Sequence, residues 1–147
     1  MAVDLSEEMQ AIAKQKVKTG NVAFRQADIT KPWDFGAENK ADLVTCSLIL
    51  EHVEDLDFIF RQVSRHLNET GHFYICELHP FRQYQGSKAR FETDEGWKIL
   101  DCYTHHASDY ARAALENNFT ILRLDEWFDE SDRRRMPRLI SFLFAKR

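Results

Sequence analysis

Four places along the chain carry residues whose type and position could do chemistry. The first is Asp4 in MAVDLSEEM. Val3 and Asp4 read as the tip of a strand, and Ser6 as an N-cap ahead of Glu7 and Glu8. In a doubly wound α/β fold an acidic side chain at such a tip holds a ribose, because its two oxygens accept from vicinal hydroxyls. The competing reading is a carboxylate that only favours the helix macrodipole. The second place is Asp28, closing NVAFRQAD, where a lone Asp after a strand is by itself an ordinary turn residue. The third is Cys46, Ser47 and Leu48, at the end of an apolar run, with His52 four residues on. The fourth gathers groups able to move protons: Glu77 and His79 in ELHPF, then Tyr84, His105 and His106. The plainer reading of each is ordinary loop polarity. A metal site from His79, His105 and His106 is not expected, since adjacent histidines point apart and no third-ligand spacing is evident.

The elements that must position these residues alternate between helix and strand. From Ser6 to Lys18, Met9, Ile12, Ala13 and Val17 recur at helical steps and Gly20 supplies a stop. Residues 21–28 read as a short strand, followed by a loop with Pro32 and Gly36. ADLVTCSLIL, from Ala41 to Leu50, is nearly continuously apolar, as a strand covered on both faces must be. Leu56, Ile59, Phe60, Val63 and Leu67 form one stripe of a second helix. Asn68 to Gly71 should turn the chain into a second buried strand, GHFYICEL. A long polar segment from His79 to about Thr104 follows, then a helix near Ser108 to Asn117, and strands at FTILRLDEW and PRLISFLFAKR. With no repeats or linkers, residues 1–147 are expected to form a single domain.

Composition narrows the function classes. The chain has 147 residues, 44% hydrophobic and 30% charged, enough for a core without metal or disulfide staples. A net charge of -4 argues against general nucleic-acid binding, which needs a dense positive surface. The basic run Arg133 to Arg135 with Arg138 lies beside Asp129, Glu130 and Asp132 and reads as a solvated loop, or else as an anion or partner site. Cys46, Cys76 and Cys102 form no CxxC pair, and reduced thiols in a cytoplasmic protein are the expectation. No apolar stretch approaches a membrane span. The five glycines, at 20, 36, 71, 86 and 96, are too far apart to make a glycine-rich phosphate or cofactor turn.

VDLSEEM, QADI and ADLVTCSLILEHVEDLDFIFRQVSRHLNETGHFYICELHP, in this order, resemble class I S-adenosylmethionine-dependent methyltransferases of the small-molecule type 11/12 group. HPFRQYQGSKARFE, THHASDY and PRLISFLFAKR extend the similarity over essentially the whole chain. The resemblance implies an α/β, Rossmann-like sheet of strand order 3-2-1-4-5-7-6 with an antiparallel C-terminal strand. That sheet is expected to be truncated at the N-terminus, because the family's first strand and glycine-rich motif precede the acidic tip. The resemblance also implies S-adenosyl-L-methionine as cofactor. Asp4 with Leu5 would hold the ribose, and Asp28 with the Ile29 amide the adenine edge. Cys46, Ser47, Leu48 and His52 would face the cofactor crevice, where small side chains allow close backbone approach. Methyl transfer from a sulfonium needs chiefly an in-line nucleophile. A general base, from Glu77, His79, Tyr84, His105 or His106, matters only if the acceptor must lose a proton. The expected partner is a small-molecule acceptor, with self-association through unpaired strands as a second expectation. The alternative is a non-catalytic remnant or interaction module that holds no cofactor.

Overall fold

The computed structural model describes residues 1–36, 40–86, 90–93, 96–99, 101–129 and 133–147. They fall into two compact units, Met1–Asp34 and Phe35–Arg147.

The first unit is a strand, a helix and a parallel strand: β1 (Ala2–Asp4), α1 (Glu7–Lys16) and β2 (Phe24–Gln26). Ala2, Val3 and Asp4 pair with Phe24, Arg25 and Gln26. Ser6 caps α1 as expected, its Oγ accepting from the Met9 amide at 3.1 Å. Glu7 and Glu8 in the first turn and Lys14 and Lys16 in the last complement the helix dipole. Two expectations are corrected here. The helix ends at Lys16 with Val17 as its C-cap, well before Gly20, because exposed Val17 finds no core contact to extend it. Met9 and Ile12 are exposed, and the buried side chain is Gln10, whose amide donates to the Asp4 carbonyl at 3.0 Å.

The second unit is built on a four-stranded sheet of order β3-β4-β8-β7. Its elements are β3 (Ala41–Ser47), a 3-10 turn (Leu50–His52), α2 (Leu56–His66), β4 (Leu67–Leu78), α3 (Pro80–Tyr84), a hairpin of β5 (Arg90–Thr93) and β6 (Gly96–Ile99), α4 (Ala107–Glu116), β7 (Phe119–Trp127) and β8 (Leu139–Lys146). β3 and β4 run parallel, and β8 is antiparallel to both β4 and β7. In the family's strand numbering these sheets pair 2 with 3 and run 4-5-7-6, each in the neighbour order that the resemblance implies. The C-terminal strand is antiparallel, as the resemblance implies.

Burial explains why these elements form. On one sheet face Phe73 and Ile75 of β4 and Ile140, Phe142 and Phe144 of β8 point toward α2 and α4 and are buried. Phe60 of α2 packs edge-on against Phe73, Phe119 and Phe144, with ring centroids 5.2, 5.7 and 5.3 Å away. Such edge-to-face pairs add to area burial, and each Phe removed from water contributes about 1.5–3 kcal/mol. Asp55 caps α2 by accepting from the Phe58 amide at 2.8 Å. Asn117, at the end of α4, donates to Asp57 at 2.5 Å and so ties the two helices.

Three further expectations are corrected. The strand at 41–50 ends at Ser47, and it is not covered on both faces: Asp42, Leu43, Thr45 and Ser47 are exposed, Leu43 by 55%. Its apolar run is that of an edge strand with one buried face, since β3 pairs only with β4 among the described residues. The turn expected at Asn68–Gly71 is a bulge inside β4, whose pairing with β3 passes from Ala41–Leu67 to Leu43–His72, two residues against five. Gly71 is needed there, because a Cβ would stand 2.9 Å from Leu67 Cδ2 and 3.0 Å from the Asn68 carbonyl. The polar stretch after His79 is not all loop. Pro80 at the first helical position starts α3, and Gly96 with φ of 113° opens the second strand of the hairpin.

Candidate functional site

In the first unit, parallel pairing brings the ends of β1 and β2 side by side, and the Ala27 amide donates to the Asp4 carbonyl at 3.2 Å. Asp4 therefore leaves one strand and Asp28 follows its neighbour. Asp4 Oδ1 accepts from the Ser6 amide at 2.8 Å. Asp28 Oδ1 accepts from the Thr30 hydroxyl at 2.6 Å and the Thr30 amide at 2.9 Å. These bonds from Thr30 hold the Asp28 carboxyl below its ordinary value, so it is an acceptor at neutral pH. In each carboxylate Oδ2 has no hydrogen-bond partner among the described residues. Leu5 is exposed, and its carbonyl accepts from Gln26 Nε2 at 3.0 Å. Ile29 is half-buried, its carbonyl taken by Trp33 Nε1 at 3.0 Å. Two fixed carboxylates with open oxygens, at the C-terminal ends of adjacent parallel strands, are an acceptor set that fits the hydroxyls and amino group of a nucleoside.

In the second unit, Cys46 is buried on the helix-covered face while Ser47 and Leu48 are exposed. Burial pushes the Cys46 thiol up to about 12, with the Glu77 charge adding to the shift, so it is no thiolate nucleophile. Leu48 has a φ of 53°, in the left-handed region that a leucine rarely adopts. Its amide donates to the Cys76 carbonyl at 3.0 Å. His52 faces Asp101, whose carbonyl accepts from Nδ1 at 3.0 Å, so the proton sits on that nitrogen.

The proton-moving candidates divide into three settings. Glu77 lies inside, 1% exposed, at the end of β4. His79 is buried: Nδ1 accepts from the Phe81 amide at 3.2 Å, and Nε2 donates to Glu126 at 3.1 Å. Both its nitrogens are thus engaged in starting α3 and tying it to β7. His105 donates from Nε2 to the Val53 carbonyl at 2.7 Å. Tyr84 and His106 are brought together, although 22 residues separate them. The Tyr84 hydroxyl bonds His106 Nδ1, and the rings stand 5.5 Å apart. Tyr84 is 51% exposed and His106 is exposed too, so this pair can meet a solute.

Two features have no counterpart in the motif reading. Glu51 is 7% exposed, its Oε2 accepting from Gln83 of α3 at 3.3 Å and its carbonyl from the Tyr103 amide at 2.7 Å. The only signal for it is its place inside LILEHV, an acidic residue flanked by apolar ones. The second is a hollow of about 280 Å3 lined by Leu48, Leu78, Trp127, Phe128, Asp129, Arg138 and Leu139. On its wall Asp129 pairs with Arg82 at 3.1 Å and Arg138 at 2.9 Å. Arg133 lies over the Phe128 ring, 5.4 Å from its centroid. Glu130 and Asp132, read with this basic run, lie outside the described residues. Among those residues no group of three or more His, Cys, Asp or Glu could hold a metal ion, and no helix is long and apolar enough to cross a membrane.

The architecture and the strand-end acids together define an α/β protein of the Rossmann-like class I methyltransferase fold. The family model described as a methyltransferase domain matches residues 1–75, and the chain belongs to that family. A solved structure from Listeria monocytogenes, assigned to the S-adenosylmethionine-dependent methyltransferases, superposes with a TM-score of 0.81 at 23% identity, covering 99% of this chain and 78% of that one. One from Mesorhizobium loti, an S-adenosylmethionine-dependent methyltransferase, gives 0.78 at 21%, covering 98% and 78%. The glycopeptide N-methyltransferase MtfA, solved with S-adenosyl-L-methionine, gives 0.65 at 13%, covering 99% and 76%. No match was found among the curated proteins.

Proposed function

We propose that this protein transfers a methyl group from S-adenosyl-L-methionine to a small-molecule acceptor. The observation that carries the reading is the pair of carboxylates at the ends of β1 and β2, each with an oxygen left over after its local bonds. Asp4, beside Leu5, accepts from the ribose hydroxyls. Asp28 accepts from the adenine amino group, with the Ile29 amide next to it. Cys46, Ser47, Leu48 and His52 are the contacts assigned to the second unit. The cofactor supplies an electrophilic methyl carbon, so the chain has to orient a nucleophile and, where the nucleophile bears a proton, remove it. Among the five proton-moving candidates, geometry favours Tyr84 with His106. Glu77 is enclosed, and His79 and His105 are occupied by backbone and carboxylate partners. Tyr84 donates to His106 Nδ1, so its oxygen can take a proton from the acceptor as its own passes to the imidazole. The hollow beside Leu48 has small-molecule dimensions.

Titration calorimetry with S-adenosylhomocysteine tests the binding step. Asp4→Asn and Asp28→Asn should each weaken binding by about 1.5–3 kcal/mol, the usual worth of a hydrogen bond to a charged group. Unchanged affinity in both variants would remove the assignment. Absence of binding by the unsubstituted chain would favour the interaction module instead.

A further inference from the structure

Glu77 is an unusual acid to find inside a protein. The residue is 1% exposed, Oε1 accepts from the Ile49 amide at 3.2 Å, and Oε2 is buried with no hydrogen-bond partner among the described residues. The charged and titratable groups that face it offer no cation: Glu51 from the 3-10 turn, Cys46 from β3 and Tyr110 from α4. A lone buried acid with acidic neighbours is costly, so it needs a compensating role. The backbone beside it supplies one. Leu48 is left-handed, and the 3-10 turn from Leu50 begins at once, so the amides of Ile49, Leu50 and Glu51 point at the end of β4 without a full set of carbonyl partners. Glu77 Oε1 meets the first of them, the Ile49 amide, from the neighbouring strand.

We propose that Glu77 is the positioning residue for the exit of β3. By holding the Ile49 amide and its neighbours it fixes the left-handed turn at Leu48, and so sets the backbone of Ser47 and Leu48 in the path of the cofactor. Glu51 carries the same constraint outward, through Gln83 to α3 and through its carbonyl to Tyr103. The cofactor clause rests on the function proposed above; the claim about the turn does not.

The decisive comparison is Glu77→Gln, which keeps an acceptor oxygen without the charge, against Glu77→Leu, which fills the space with neither. S-adenosylhomocysteine affinity should fall at least about tenfold in Glu77→Leu and stay within about threefold in Glu77→Gln, a split that loss of volume or charge alone does not produce. The amide resonances of Ile49, Leu50 and Glu51 should move with pH through neutrality in the unsubstituted chain and stop moving in Glu77→Gln. If the leucine variant does not fold, this second readout decides. Amide resonances of Ile49, Leu50 and Glu51 that are the same in the unsubstituted chain and in Glu77→Gln, or a folded leucine variant with those amides and the affinity unchanged, would overturn the proposal. If the unsubstituted chain binds no cofactor, the functional reading falls while the amide resonances still judge the turn.

Discussion

Burial and hydrogen bonding set apart acids that look alike in sequence. Asp4 and Asp28 lie at strand ends, their carboxylates bonded to backbone amides and, at Asp28, to the Thr30 hydroxyl. Burial pushes Glu77 up to about 7, the Ile49, Leu50 and Glu51 amides opposing that rise and the Glu51 charge adding to it. The sign of the stability effect follows. Below the ordinary carboxyl value both folded and unfolded chains hold the proton. Between there and about pH 7 the unfolded chain has released it and the folded one has not, so stability falls as pH rises through this window and then levels off. The drop should be on the order of 3 kcal/mol, taking about 1.4 kcal/mol per pH unit. Glu77→Gln should flatten this part of a urea-denaturation profile measured from pH 4.5 to 8, and an unchanged slope would dismiss Glu77 as its source. At the other candidate, Tyr84→Phe removes the hydroxyl but keeps the ring. With an acceptor that must lose a proton, kcat should drop by about 100-fold or more while S-adenosylhomocysteine affinity holds. Equal loss of both would make Tyr84 a structural contact.

Periodicity was an uneven guide to the elements, for physical reasons that differ from one element to the next. α2 and β8 were legible because their apolar spacing matches the face they bury, and the Asp55 cap and the Phe60 stripe agree. β3 misled because LVTCSLIL looks like a strand buried on two sides. Only Cys46 is buried along it, and the run beyond Ser47 breaks into a left-handed residue and a 3-10 turn. No local pattern announces that break, since its acceptor, Glu77, lies on another strand. In the candidate site, Asp4 and Asp28 could be read from position. The Tyr84 and His106 pairing could not, because it depends on α3 and the N-cap of α4 meeting in space. α2 also makes a quantitative test. Phe60 touches three other buried rings, so Phe60→Ala should cost about 3–5 kcal/mol of unfolding free energy, measured by urea titration. A loss below about 1 kcal/mol would mean that the ring cluster is not the core of this unit.

Edges decide how the whole chain behaves in solution. Among the described residues β1 pairs only with β2, and β3 only with β4, so each presents an unpaired line of backbone donors and acceptors. Natural sheets guard such lines with charge, proline or bulges. The guard here is partial: Asp42 lies on β3, but so does Leu43, 55% exposed, and Leu5 and Met1 flank β1 exposed as well. On the same side of the sheet as Leu43, the register sets Tyr74 beside Thr45 and Leu143 beside Tyr74, so the apolar surface continues inward from the edge. Strand pairing between two copies would satisfy the edge backbone and cover part of this surface at once. The chain is therefore expected to self-associate at micromolar concentration, through β3 in particular. Leu43→Lys places a charge on that surface without touching the Phe60 core, and should shift the sedimentation profile toward monomer while leaving the melting temperature within a few degrees. A monomeric unsubstituted chain at these concentrations, melting cooperatively, would show that the open edges are protected by some means other than pairing.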